Sequence, residues 1–489
     1  MKNIVIIGAG LGGLTAGALL SKKGYKVTIL EQHNKVGGCA TTFKRNGNFA
    51  CEVGLHAMDA AFTDKKKKWI LDELKVYDNI EFIKPNEFFR IKSDTIDFIM
   101  PDKKEKAIVK LTDKYPKEAQ AIKKYFTLID SICNEYDNLP NISWWQFILF
   151  PFIYKNIFKY KTKSVKEVLD SFIKNEELKL ILNTNVGYYH DTVDKFSFLY
   201  HSIGQNSYFT GSGWYIKGGS QKLSNYLASI IKSNNGKVVT IANAVKIKLN
   251  GNAATSIVYE HKKEKVEIFS DILISNLSPS QTYKIAGITY KEDKKIASSL
   301  LTIYIGFNKN IKNIYGQKPY STFLLRDIRS IKDYDNSIKN EITKRGFVFV
   351  DYSQIDSNLT DENKSFGAIC TTDYLSDWRN LAKNEYELKK KDILKSYLSE
   401  LEKEYPNIKE YIEFAEIGTA KTMNRYLKTP EGTAYGFAPN NRQFFRIPQI
   451  KSKKLRNLYF AGAWVIGGGF SPAIISGGMC FDRIYSQKR

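Results

Sequence analysis

Gly8-Ala-Gly10-Leu-Gly12-Gly13 has the spacing of a phosphate-cradling turn. The carboxylate of Glu31 follows near the roughly 20-residue interval expected for a ribose contact. In such a turn Gly8 permits the tight bend, Gly10 lets the backbone approach a pyrophosphate, and Gly13 lets the helix pack on the strand. The helix then offers free N–H groups and a positive dipole end to the phosphates. A second pair, Gly37-Gly38, lies soon after the acid. For proton transfer the candidates are His56, Glu52 and Tyr435, with Glu431 as a rival. The competing readings are a packed core position for His56, a solvated turn for Glu431 and simple packing for Tyr215.

These residues need elements to hold them. Asn3–Ile7 reads as a buried strand, Leu14–Lys23 as a helix stopped by Gly24, and Lys26–Leu30 as a second strand ending at Glu31. Further on, Gly218-Gly219-Ser220 precedes a helical pattern, Leu223–Lys232, and then a strand, Lys237–Ile241. Three alternating runs, Val245–Leu249, Thr255–Tyr259 and Val266–Phe269, predict a meander, and Val245 joins the candidate cofactor contacts. Asp271–Ser275 reads as another buried strand. Near the end, strand Asn457–Ala461 runs into Gly462. The helix that follows, Ala473–Tyr485, is expected to be capped by Ser471 and opened by Pro472.

The double glycine after the ribose acid resembles glutathione-reductase-like FAD proteins. That resemblance implies an α/β fold: an FAD-binding Rossmann domain interleaved with an α+β substrate domain. It also aims the N-terminus of the last helix at the flavin ring, so Gly462, Ser471, Pro472 and Ala473 join Gly8, Gly10, Gly12, Gly13, Glu31, Gly37 and Gly38 as expected cofactor contacts. A positive helix end there favours the negative charge of reduced flavin.

Longer motifs narrow the resemblance. Gly37-Gly38-Cys39-Ala-Thr-Thr-Phe43 with Phe49-Ala-Cys-Glu52-Val-Gly54-Leu-His56, Trp214-Tyr215-Ile-Lys-Gly218-Gly219, and Thr422-Met-Asn-Arg425-Tyr426 with Pro430-Glu-Gly432-Thr-Ala-Tyr435-Gly436 are together similar to the phytoene desaturase, carotenoid isomerase and retinol saturase family. Glu52, Thr41 and Ala463 depart from the usual pattern, where Asp, His and an acid stand. The family implies saturation, desaturation or cis–trans isomerisation of a hydrophobic polyene or isoprenoid lipid, with NAD(P)H as one source of electrons. Two other readings share the framework: an amine-oxidase or protoporphyrinogen-oxidase-like flavoenzyme, and a non-catalytic prenyl-lipid carrier. The intact phosphate turn and ribose acid argue against the carrier.

The 489 residues carry a formal charge of +23, from 74 basic and 51 acidic side chains. No zinc spacing, RNP-like run or basic heptad accompanies that surplus, so nucleic acid is not expected and no metal site is predicted. An anionic membrane is the other usual partner, and a Lys-rich solvated surface with no partner is the competing reading. The stretch 143–163, rich in Trp, Phe and Lys, is too short and interrupted to span a bilayer; it suits either the interface or a helix pair buried in the substrate domain. Five scattered cysteines and a strand starting almost at Met1 fit a reducing, cytoplasmic setting with peripheral membrane contact. The expected division is 1–80, 211–284 and 441–489 for FAD, with 81–210 and 285–440 for substrate.

Overall fold

The computed structural model describes residues 2–139, 149–443 and 449–488. A five-stranded parallel sheet forms from Lys237–Val239, Lys26–Leu30, Asn3–Ile7, Ile272–Ser275 and Leu458–Phe460, in that spatial order. Four of the five residues of Asn3–Ile7 are buried, as a strand covered on both faces requires. The first helix, Leu11–Lys22, packs with helix Gln221–Ser233 and the C-terminal helix Phe470–Tyr485 on one face. Ile257, Ile247 and Ala254 of the three-stranded antiparallel meander join the core on the other. Val245 falls at an irregularity of that meander, between the paired residues Ala244 and Lys246.

Helix ends differ from the sequence expectation in informative ways. The first helix begins at Leu11, because Leu14 N–H already bonds to Gly10 C=O and the glycines themselves form its first turn. The C-terminal helix begins at Phe470 with Gly469 as its N-cap, at φ +105°. Ser471 is therefore inside the helix and is not its cap.

The second large sheet has seven strands, in the order Ile412–Gly418, Ser299–Phe307, Ser365–Asp373, Phe347–Asp351, Ser321–Leu324, Phe89–Lys92 and Asp97–Met100. One face packs Leu301, Ile303, Ile369 and Phe349 against Ile393, Tyr397 and Leu401 of the long helix Lys383–Glu404. The opposite face carries the row Thr302, Cys370, Val348 and Phe323, which are directly paired across four strands. Among the described residues, no helix is long and apolar enough to cross a membrane. Residues 143–148 of the aromatic stretch lie outside the described residues; Leu149–Lys163 lie within them.

Candidate active site

The C-terminal ends of the parallel strands gather the first group of residues. Gly8 follows Asn3–Ile7, Glu31 follows Lys26–Leu30, Asn276 follows Ile272–Ser275, and Gly462 lies just beyond Leu458–Phe460. Crevices at this edge of an α/β sheet are where ligands bind. Gly37 N–H donates to Ala9 C=O at 2.7 Å, and Gly37 pairs with Gly10, so the two glycine segments touch. The second loop is pinned from behind: Ser224 Oγ donates to Ala40 C=O at 2.7 Å and Gln221 Nε2 to Val36 C=O at 2.9 Å. Gly37 sits at φ +121°, which L side chains rarely adopt. Glu31 is buried, and its carboxylate accepts Ala9 N–H at 2.8 Å and His33 N–H at 3.0 Å. Those bonds aim it along the turn.

Part of the glycine requirement is internal. A Cβ on Gly12 would lie 2.3 Å from Gly462 N, so the first and last strand ends meet backbone to backbone. A Cβ on Gly10 would lie 2.5 Å from the end of the Asn276 side-chain amide. The space beside Gly10 Cα is therefore occupied by Asn276. With its amide turned so that both ends are satisfied, Asn276 accepts Gly10 N–H and donates to Ala461 C=O, each at 3.1 Å. Its position immediately after a buried parallel strand was the available sequence signal, and motif reading passed over it. The N–H groups of Leu11, Gly12 and Gly13 have no partner within their own helix, because the first such bond starts at Leu14.

The C-terminal helix offers fewer donors than expected. Pro472 has no N–H, and Ala473 N–H is used on Gly469 C=O at 3.2 Å. Phe470 and Ser471 N–H are left without an intrahelical partner. The Ser471 hydroxyl donates to Asp59 Oδ1 at 2.6 Å and accepts from the fully buried Lys67 at 2.7 Å. Burial pushes the Asp59 carboxyl up, but Lys67 and the Ser207 and Ser471 hydroxyls outweigh it and hold the group below the usual range.

The second group lines a small cavity of about 50 Å³ beside the face of the seven-stranded sheet that carries Cys370 and Val348. Its walls are mainly apolar or aromatic, including Leu300, Phe323, Val348 and Tyr188, with His56, Cys370 and Tyr435 among the polar groups. Tyr435 joins the cavity to the glycine loop: a Cβ on Gly468 would lie 2.3 Å from Tyr435 Cα, and one on Gly436 would lie 2.4 Å from Ala463 O. His56 Nδ1 lies 3.1 Å from Tyr352 Oη, and Nε2 lies 3.2 Å from Cys370 Sγ. Burial lowers the His56 imidazole to about 4 and keeps the Tyr435 phenol protonated.

Glu52 belongs to neither group of exposed functional atoms. It is 1% exposed, and its carboxylate accepts Ser220 N–H at 2.8 Å, Ser220 Oγ–H at 2.6 Å and Leu55 N–H at 3.3 Å. Burial raises its pKa, and these bonds oppose the shift. This geometry corrects the proton-transfer expectation: Glu52 clamps the hairpin Thr42–Arg45/Phe49–Glu52 to the start of helix Gln221–Ser233. Glu431 pairs with Arg379 at 3.2 Å on the surface, and Tyr215 is fully buried with its hydroxyl 3.4 Å from Glu52.

Residues 6–74 match the model of an NAD(P)-binding Rossmann-like domain. An all-trans-retinol 13,14-reductase of Danio rerio is 25% identical over 99% of this chain and 86% of its own length. The chloroplastic prolycopene isomerase 1 of an Oncidium hybrid cultivar is 25% identical over 98% of this chain and 83% of its own. Among solved structures, cyclohexylamine oxidase from Brevibacterium oxydans superposes with a TM-score of 0.62 at 15% identity, covering 100% of both chains. The last likeness concerns the fold.

Proposed function

We propose, for a chain that is a member of the phytoene desaturase, carotenoid isomerase and retinol saturase family, an FAD-dependent reaction at a carbon–carbon double bond of a hydrophobic polyene or isoprenoid lipid. The observation that carries this reading is Tyr435–Gly436. This strip forms part of an apolar cavity and also packs against the glycine loop that starts the C-terminal helix. The dinucleotide cradle and the apolar chamber are therefore contiguous.

The cradle suits FAD. Leu11, Gly12 and Gly13 N–H would take the pyrophosphate, Glu31 the ribose, and Phe470 and Ser471 N–H the ring end. Gly8, Gly37, Gly38, Val245 and Gly462 complete the proposed contacts; Pro472 and Ala473 contribute backbone shape. When bound, FAD supplies the hydride exchange, and a nicotinamide nucleotide is the proposed reductant. The chain's own part is to hold one double bond in place and exclude water. His56 stays neutral near pH 7, and Tyr435 keeps its proton available to a developing negative charge. The division at residues 80, 211, 285 and 441 is part of this proposal.

Access from a bilayer is proposed at Leu149–Lys163. Phe152 is 78% exposed, and Leu149 and Phe158 are each more than 40% exposed. Lys155, Lys159, Lys161 and Lys163 accompany them, the pattern of an interfacial segment on an anionic, cytoplasmic membrane face.

Organic extraction of the purified protein followed by mass spectrometry tests the substrate class. A bound isoprenoid or polyene is the expected result. An extract holding only amines or tetrapyrroles would move the reading to the oxidases that share this fold.

A further inference from the structure

His56 is held in one tautomer by its neighbours. Tyr352 is 1% exposed, and its hydroxyl hydrogen is committed to Leu55 C=O at 2.8 Å, because a carbonyl can only accept. The Tyr352 oxygen is then an acceptor toward His56 Nδ1 at 3.1 Å. The imidazole therefore carries its proton on Nδ1 and turns the Nε2 lone pair toward Cys370 Sγ, 3.2 Å away. Tyr320 fixes the backbone beneath, donating to His56 C=O at 2.8 Å. A thiol, a base within hydrogen-bond reach and a third group that orients the base form the arrangement of an activated nucleophile. Among the described residues, Cys370 is the cysteine with an imidazole at hydrogen-bond distance, and both groups line the cavity.

We propose that Cys370, His56 and Tyr352 form a thiol centre in the cavity wall that captures apolar α,β-unsaturated aldehydes or ketones by conjugate addition. As sulfur bonds to the β-carbon, its proton passes to His56 Nε2. The double-bond pair moves toward the carbonyl, giving an enolate. The imidazolium returns the proton to the α-carbon. One S–H and one C=C π bond become one C–S and one C–H bond, with no oxidant or reductant. The step uses no flavin, so it stands or falls separately from the redox reading. Burial holds the resting thiol up to about 12 and the imidazole down to about 4, so both are neutral until an electrophile arrives. Both shifts oppose a resting thiolate–imidazolium pair, so proton transfer to His56 must accompany attack.

The test incubates the purified full-length protein with cinnamaldehyde, and in parallel with its saturated analogue. Borohydride then locks the adduct, and peptide mass spectrometry locates it. The expected result is an adduct on Cys370 with the unsaturated aldehyde alone. It is lost in Cys370→Ser, slowed at least ten-fold in His56→Gln and slowed several-fold in Tyr352→Phe, with circular dichroism confirming that each variant is folded. The Tyr352→Phe arm keeps the imidazole and releases its tautomer together with the bond to Leu55 C=O. Labelling of Cys39 with Cys370 unmodified would overturn the proposal. So would equal Cys370 labelling in the wild type and in a folded His56→Gln or Tyr352→Phe variant.

Discussion

The two halves of the candidate site are built in opposite ways. The dinucleotide edge is made of backbone: strand ends, free N–H groups and glycines whose missing Cβ lets Gly12 meet Gly462. The cavity is made of side chains, with His56, Tyr188, Phe323, Cys370 and Tyr435 arriving from five separate stretches of chain. A backbone site fails when anything is added to it. A side-chain site fails when something is taken away, and it fails more gradually.

Four substitutions test that difference. The largest effect is expected for Gly12→Val, whose Cβ has no room beside Gly462 N. We predict a loss of about 3 kcal/mol or more, read by denaturant unfolding, together with loss of bound flavin absorbance. Next, Glu52→Ala strands the Ser220 and Leu55 donors in the interior. Stability should fall by roughly 1–3 kcal/mol, while the folded fraction keeps its turnover per bound flavin. A matching drop in turnover per flavin would return Glu52 to the chemistry.

Third, His56→Ala should slow polyene turnover at least ten-fold with flavin still bound; unchanged turnover excludes a role in the reaction. The same residue gives a pH signature. Its folded pKa is about 4, below the ordinary 6.5, so the unfolded chain takes up the extra proton between those values. Stability contributed by His56 is present above about pH 6.5 and is lost as pH falls toward 4. Urea unfolding across that window should show a wild-type slope that is shallower in His56→Gln.

The smallest effect concerns the surface. Phe152→Ser removes one exposed ring from the proposed interfacial segment and should weaken flotation with anionic liposomes by up to ten-fold, about 1.4 kcal/mol. No flotation at low salt removes the membrane from the account, and equal flotation on neutral and anionic vesicles removes its anionic character.

The same contrast explains what the sequence disclosed. The glycine turn, Glu31, the meander and the last parallel strand were legible because each is local: a period, a turn and an acid at fixed spacing. The cap of the last helix was misplaced because Ser471 and Pro472 look like a cap and a first residue, while Gly469 supplies the required backbone and Ser471 is taken by Asp59 and Lys67. Asn276 was missed because its importance comes from bridging Gly10 and Ala461, which only the folded sheet brings together. Cys370 was just one of five scattered cysteines until strand register set it in the row with Thr302, Val348 and Phe323, facing His56. Glu52 sat in the right motif, but the fold gave its carboxylate to Ser220.

The central claim is that a flavin cradle and a polyene chamber act as one site. The most direct measurement photoreduces the purified yellow protein without oxygen, adds all-trans-retinol or prolycopene, and follows the flavin spectrum and the lipid by mass. The account predicts a flavin-dependent product, either altered by two hydrogen atoms with reoxidation of the flavin, or isomeric with the flavin still reduced. A colourless protein, or a flavin-loaded one that returns both polyenes unchanged while oxidising an amine, would contradict it.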